Sequence, residues 1–253
     1  REDYVRKYLR TYQNGNTRFL EQMMNGKKKY QRRQFERDQE MYMATKFIGT
    51  TATSDQIMFR CNTPVDAIVK PDYTLHLTPF SDMYLSVMFG NSSPTQIRAK
   101  AGQQYDIPCP YNQMDDTAVL VYGASRIQSM GDVSTCYIHD NDFSKATRLK
   151  KLIIGNETEG YSNNFLTNLV IGNNKLLELL DVRNTPNLVT SLDLSKCGSL
   201  KKLYASGSGL TGVTFANGGK IDTAILPETL TSIIMRNLKY LTNLQIPAYN
   251  KFT

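Results

Sequence analysis

Only two histidines and four cysteines occur in 253 residues, and each scarcity removes a class of chemistry. His76 and His139 have no sequence-near partner of the kind that builds a catalytic triad or a metal pair. His76 falls on the polar side of a strand pattern and is expected to be solvated. Cys61, Cys109, Cys136 and Cys197 lie 48, 27 and 61 positions apart, without the C-x-x-C pairs of zinc and redox sites. They read as reduced structural thiols; the even count also permits two disulfides, although a chain of this length does not need staples. Long apolar runs are missing too. Stretches such as Ala118 to Tyr122 fall far short of the roughly 20 residues that cross a bilayer, so no membrane-spanning segment is expected. No signal-like segment precedes the fold and the chain opens on Arg1, which suggests that its natural beginning is missing.

What remains is globular: 40% of the residues are hydrophobic, enough for a real core. The net charge of +7 is unevenly placed. Residues 1–48 carry twelve basic against six acidic side chains, residues 49–135 five against eight, and residues 136–253 thirteen against nine. Residues 1–48 also lack proline and are rich in Arg, Lys, Glu, Gln and Met, which predicts a basic helical arm, interrupted at Asn14-Gly15-Asn16 and Asn25-Gly26.

From Ser54 the period changes to two. Ile57, Phe59 and Cys61 alternate with Met58 and Arg60, and Tyr73 to Thr78 and Leu85 to Phe89 follow the same rule. Proline and glycine punctuation separates about six such runs up to Tyr122. This predicts a small antiparallel β-sandwich over residues 49–135.

From Leu149 a motif of the form L-x-x-L-x-L takes over: LKKLII, LTNLVI, LELLDV, VTSLDL, LKKLYA, LTGVTF, LTSIIM and LTNLQI, starting at 149, 166, 177, 189, 200, 210, 230 and 241. Most starts are 10 to 12 residues apart, too close for an ordinary leucine-rich repeat of about 20 to 29 residues. Two motifs must therefore complete one coil of roughly 20 to 23 residues, with a short strand on each of two faces and about 4.8 Å between coils. The fold class expected is mixed and mainly β: helical arm, sandwich, then a leucine-rich-repeat solenoid with short parallel strands over 136–253. In this register Leu192, Leu194, Leu200 and Leu203 point inward, while Ser191, Asp193, Lys201 and Lys202 point outward. Cys197, ninth in its motif, takes a structural turn position. The last motif is followed by only seven residues, and repeat arrays end in a polar cap, so the natural chain is expected to continue.

Several stretches imitate functional motifs. GSGLTG at 207–212 has the glycine spacing of a dinucleotide-binding turn, but a strand pattern follows where a helix is required; its glycines are expected to serve turns with positive φ. GASRI at 123–127 lacks the second glycine of a nucleophile elbow. Asp115-Asp116 and His139 to Asp142 lack the glycine and distal glutamate of a calcium loop. No enzyme, cofactor or metal site is expected. The run KKKYQRRQFER at 27–37 leaves two readings open. It is a solvated helix face with i, i+4 pairs such as Arg32 with Glu36, or Lys27, Lys28, Lys29, Arg32, Arg33 and Arg37 contact DNA or an acidic partner, with Tyr30 and Phe35 interleaved for stacking.

The stretches FLEQMMNGKKKYQRRQFERDQEMYMATKFIG, GLTGVTFANGG and LPETLTSIIMRNLKYLTNL resemble the large tail structural proteins of crAss-like bacteriophages of gut Bacteroidales. In that family a helical arm, a small β module and leucine-rich coils occur in this order. The resemblance implies a virion component similar to the muzzle-type protein around the DNA exit channel: a subunit of a ring of copies, in contact with neighbouring tail proteins, assembled in the host cytoplasm, without a cofactor. The basic arm would then face phage DNA or acidic neighbours. A rival expectation is a bacterial cell-surface leucine-rich-repeat adhesin. The outward coil positions are mostly Lys, Thr, Ser, Asp and Asn, with Tyr204 and Tyr240 as exceptions, so the aromatic stripe of a binding face is missing.

Overall fold

The computed structural model describes residues 55–247; the expected helical arm lies outside them. The antiparallel region contains β1 (Gln56–Cys61), β2 (Leu75–Pro79), β3 (Met83–Phe89), β4 (Thr95–Ala99), β5 (Tyr105–Ile107), β6 (Thr117–Tyr122), β7 (Ile127–Asp132) and β8 (Ile138–Asp142). Alternation decides their faces: Ile57, Phe59 and Cys61 are fully buried, as are Leu75 and Leu77, while Met58, Arg60 and His76 are partly exposed. One sheet runs in the order β4-β3-β6-β1-β8. The others, β5-β2-β7, begin a second sheet, and the inward residues of both belong to one apolar core.

The second sheet does not stop at β7. It continues through β9 (Lys151–Ile153), β10 (Leu179–Asp181), β12 (Lys202–Tyr204), β14 (Thr223–Ile225) and β16 (Asn243–Gln245), all parallel. Between them, β11 (Ser191–Leu194), β13 (Gly212–Phe215) and β15 (Ser232–Ile234) form the opposite face. The chain is therefore a parallel β-solenoid whose first long sheet grows out of an antiparallel one. Leu152, Leu180, Leu203, Ala224 and Leu244 stand in register on one face, and Leu192, Val213 and Ile233 on the other. The paired residues are 28, 23, 21 and 20 positions apart on the first face and 21 and 20 on the second, so two strands do complete one coil. The longest spacing, 28, lies between β9 and β10.

Two details differ from the motif reading. The strand β14 has alanine where the motif has leucine, in I-D-T-A-I-L at 221–226, so the gap between the motifs at 210 and 230 hides a half-coil. LTNLVI at 166 matches the motif yet forms no strand. Its backbone is bridged instead to β8: Asn141 Nδ2 donates to the Asn168 carbonyl at 2.9 Å, the Val170 N–H donates to Asn141 Oδ1 at 3.0 Å, and the Phe143 N–H donates to the Val170 carbonyl at 2.8 Å.

Asparagine side chains tie rungs of the coils together, although the buried Asn174 Oδ1 accepts no hydrogen bond. Asn163 Nδ2 donates to the Ile138 carbonyl, Asn174 Nδ2 to Ala146 and Asn184 Nδ2 to Asn156, at 3.1, 2.9 and 2.9 Å, so each links two successive rungs. Strand ends are fixed by Asx turns, in which Asp132, Asp142, Asp181 and Asp193 each accept the N–H two residues on. GSGLTG is part of this scaffold. Gly207 has the positive φ expected for a turn, +68°. Gly209 does not, and is required for a different reason: a Cβ there would run into the Pro186 carbonyl of the preceding coil. A strand, β13, follows it.

Candidate functional site

The outer face of the long sheet is a regular surface built by the register of its strands. One row of outward positions runs Lys151, Leu179, Lys202, Thr223, Asn243, and the next Ile153, Asp181, Tyr204, Ile225, Gln245. At the turn before each strand, backbone bonds stack Lys150, Glu178, Lys201, Asp222 and Thr242, so charge alternates along the axis. Lys201 Nζ lies 2.8 Å from Glu178 Oε2. That hydrogen bond, aided by the nearby charges of Lys150 and Lys151, holds the Glu178 carboxyl below its ordinary range. Both side chains are substantially exposed, 48% and 37%, so water and salt screen the pair. Lys201→Ala is accordingly expected to change the unfolding free energy by no more than about 0.5 kcal/mol, as read by denaturant titration. A larger loss would mean that Lys201 is part of an interface between chains.

Beside this row, Arg183 organises the strand ends. Its Nε donates to both Asp181 oxygens at 3.1 and 3.0 Å, its Nη2 to Asp181 Oδ2 at 2.6 Å and its Nη1 to Glu157 Oε2 at 2.5 Å. The guanidinium also lies 5.0 Å from the centre of the Tyr204 ring. Asp181 is buried, and these bonds compensate its desolvation. Tyr204, expected to point outward, does so but lies half-buried beneath Arg183. Tyr240 is exposed.

Each histidine has an acidic neighbour that sequence distance concealed. His76 Nδ1 is 2.7 Å from Asp106 Oδ1 across β2 and β5, and this bond lowers the Asp106 carboxyl below its ordinary value. Gln104 is the other side chain on that carboxylate, so the pair is a cross-strand contact and not a triad. His139 Nε2 lies 3.3 Å from Asp116 Oδ1 without the alignment of a hydrogen bond, and Arg60 pairs with the other Asp116 oxygen at 3.1 Å. Asp142 is used by its turn, accepting the Ser144 N–H. In GASRI, Ser125 Oγ donates to Asp55 at 2.8 Å in a 3-10 turn between two strands. Among the described residues no three His, Cys, Asp or Glu side chains converge as a metal site. A crevice beside Cys197, Phe215, Ile221 and Leu238 holds about 10 Å³, room for one water at most. Cys197 itself is a free buried thiol, pushed up to about 11 by burial.

Lys27, Lys28, Lys29, Arg32, Arg33 and Arg37 lie outside the described residues. No helix among those described is long and apolar enough to cross a membrane.

Leu180 and Leu203 are 0% exposed, whereas Leu244, in register with them, is 39% exposed. Ile234, Met235 and Tyr240 are also exposed. Comparison with known proteins gives no matching family model, no matching curated protein and no matching solved structure.

Proposed function

We propose that this chain is a non-enzymatic structural subunit of a bacteriophage virion, part of a tail or muzzle assembly around the DNA exit channel, and that its coils are leucine-rich repeats following a β-sandwich. The observation that carries a structural role is the parallel β-solenoid itself, in which Leu152, Leu180, Leu203 and Ala224 stack in register. Stacked coils of this kind present extended, regular surfaces suited to contacts with other chains. The virion assignment is supported by the resemblance of residues 19–49, 209–219 and 226–244 to crAss-like phage tail proteins. On this reading the partners are other copies in a ring and neighbouring tail proteins. Lys27, Lys28, Lys29, Arg32, Arg33 and Arg37 face phage DNA or acidic neighbours, and the protein resides in the tail after assembly in the host cytoplasm.

Immunogold electron microscopy with an antibody to residues 55–247, on purified phage and on host cells, tests the assignment. Gold at the tail tip is the expected result. Gold on the cell surface with bare virions would replace it with a cell-surface adhesin.

A further inference from the structure

The charges on the outer face of the long sheet follow an order that complements itself. At the turns leading into β9, β10, β12 and β14 stand Lys150, Glu178, Lys201 and Asp222, stacked by backbone bonds from each N–H to the carbonyl of the coil before. Neutral Gln128 and Thr242 extend this stack at its two ends. Lys150 and Lys201 are exposed and Glu178 and Asp222 partly so, which leaves the series plus, minus, plus, minus open along the coil axis. Read backwards it is minus, plus, minus, plus. A second copy of the face, related by a two-fold axis that lies along the strand direction between β10 and β12, therefore sets Lys150 over Asp222 and Glu178 over Lys201, each twice. The neighbouring rows accept the same rotation. Lys151 comes over Thr223, Lys202 lays its apolar stem over Leu179, and Ile153 comes over Ile225. No cation meets a cation. A two-fold axis along the coil direction would instead lay each charge on its own kind, and so would an antiparallel slip by one coil.

We propose that the outer face of the long sheet pairs with the same face of a second copy of this chain about that two-fold axis. The mixed row is what selects the occupant. An acidic partner would meet Glu178 and Asp222, and a basic one Lys150 and Lys201, whereas another copy meets opposite charge at all four positions. Strand spacing and residue rise make the strip only about 10 by 15 Å, far below the roughly 800 Å² per partner of a stable interface. Its ion pairs also stay wet, so the contact is weak, dependent on protein concentration and lost as salt rises. Copies already held together by other contacts raise the effective concentration and make it form. This pairing goes beyond the virion reading and does not rest on it.

The test is zero-length carbodiimide cross-linking of the full chain, as a mixture of unlabelled and heavy-nitrogen-labelled copies, at high concentration and low salt, with the joined peptides mapped by mass spectrometry. Within one chain Lys150 and Asp222 are three coils apart, about 14 Å, too far for a direct amide, so a Lys150–Asp222 link forms only between copies. The expected product is that link, carrying one light and one heavy peptide and disappearing at high salt. Lys201 and Glu178, in contact within the chain at 2.8 Å, join in any case and show that the reagent has acted. Lys201→Glu sets like charges opposite each other beside the axis and should remove the Lys150–Asp222 link. The double variant Glu178→Lys with Lys201→Glu again faces every cation with an anion and should restore it. A Lys201–Glu178 link without Lys150–Asp222, or dimers joined only at other residues, would overturn the proposal. So would a Lys150–Asp222 link that survives Lys201→Glu unchanged; the readout on the unmodified chain stands even if a variant does not fold.

Discussion

Leu194→Asp is expected to abolish cooperative folding of the solenoid. Leu194 is fully buried in β11, in register with Phe215 of the next coil. Removing its side chain alone costs about 2–5 kcal/mol in a close-packed core. The carboxylate adds a desolvation penalty of several kcal/mol, or the cost of protonating to escape it. Together these approach the roughly 5–15 kcal/mol by which a domain is stable. The neighbouring residue provides the contrast. Asp193 is exposed, and its carboxyl accepts the Ser195 N–H at 2.9 Å, a bond that holds it below its ordinary value of 3.8. Asp193→Asn retains an acceptor of the same shape and should leave the midpoint within about 2 °C, on the scale of surface substitutions. Circular dichroism melts of the two variants therefore test the register, because a one-residue slip would exchange the roles of positions 193 and 194. A Leu194→Asp protein that melts like the parent would refute the inward placement.

The coils were legible in sequence because a buried strand position tolerates little but apolar residues, and Leu180, Leu192, Leu203 and Val213 recur at the beat the stack imposes. What escaped was whatever the beat does not control. Ala224 fills an inward rung with a side chain too small to register as part of a leucine pattern. Val170 sits in a motif match, yet its backbone bonds go to the side chain of Asn141 and to Phe143, a long-range partnership that periodicity cannot express. The change of period near Leu149 reads as a boundary, although backbone pairing passes through it from Ser129 to Lys151. That continuity is energetic as well as topological: the antiparallel end covers the first coil, and one apolar core runs from Ile57 to Leu230. Side-chain pairs across strands were hidden for a related reason. His76 meets Asp106 only because antiparallel pairing brings positions 30 residues apart onto one face.

A single methyl group at Gly155 is expected to be nearly as damaging as a core truncation. Gly155 follows β9, and its N–H, with that of Ile154, donates to the Asp181 carbonyl of the next coil, at 3.1 and 2.9 Å. Its φ is not in the left-handed region, so conformational freedom does not explain the glycine. Space does. A Cβ at this position would strike the Arg183 backbone nitrogen and oxygen and come within 2.7 Å of the Val182 carbonyl carbon, and backbone inside a paired stack cannot swing aside as a side chain tip would. To admit the methyl the two coils must separate, which weakens both bonds to Asp181 and disturbs Arg183, whose guanidinium compensates the buried Asp181. Overpacking of this kind costs about 1–3 kcal/mol or more, and the added hydrogen-bond losses bring the expected total to about 3–5 kcal/mol. For a chain of this size that is a fall in midpoint of about 10 °C. Gly218→Ala isolates the other effect. Nothing lies within 4 Å of a Cβ at Gly218, but its φ is +67°, so only left-handed backbone strain of about 1–2 kcal/mol is at stake. Calorimetric melts should therefore rank Gly155→Ala well below Gly218→Ala. The reverse order would mean that β9 and β10 are not packed at this spacing, and that the first coil closes differently.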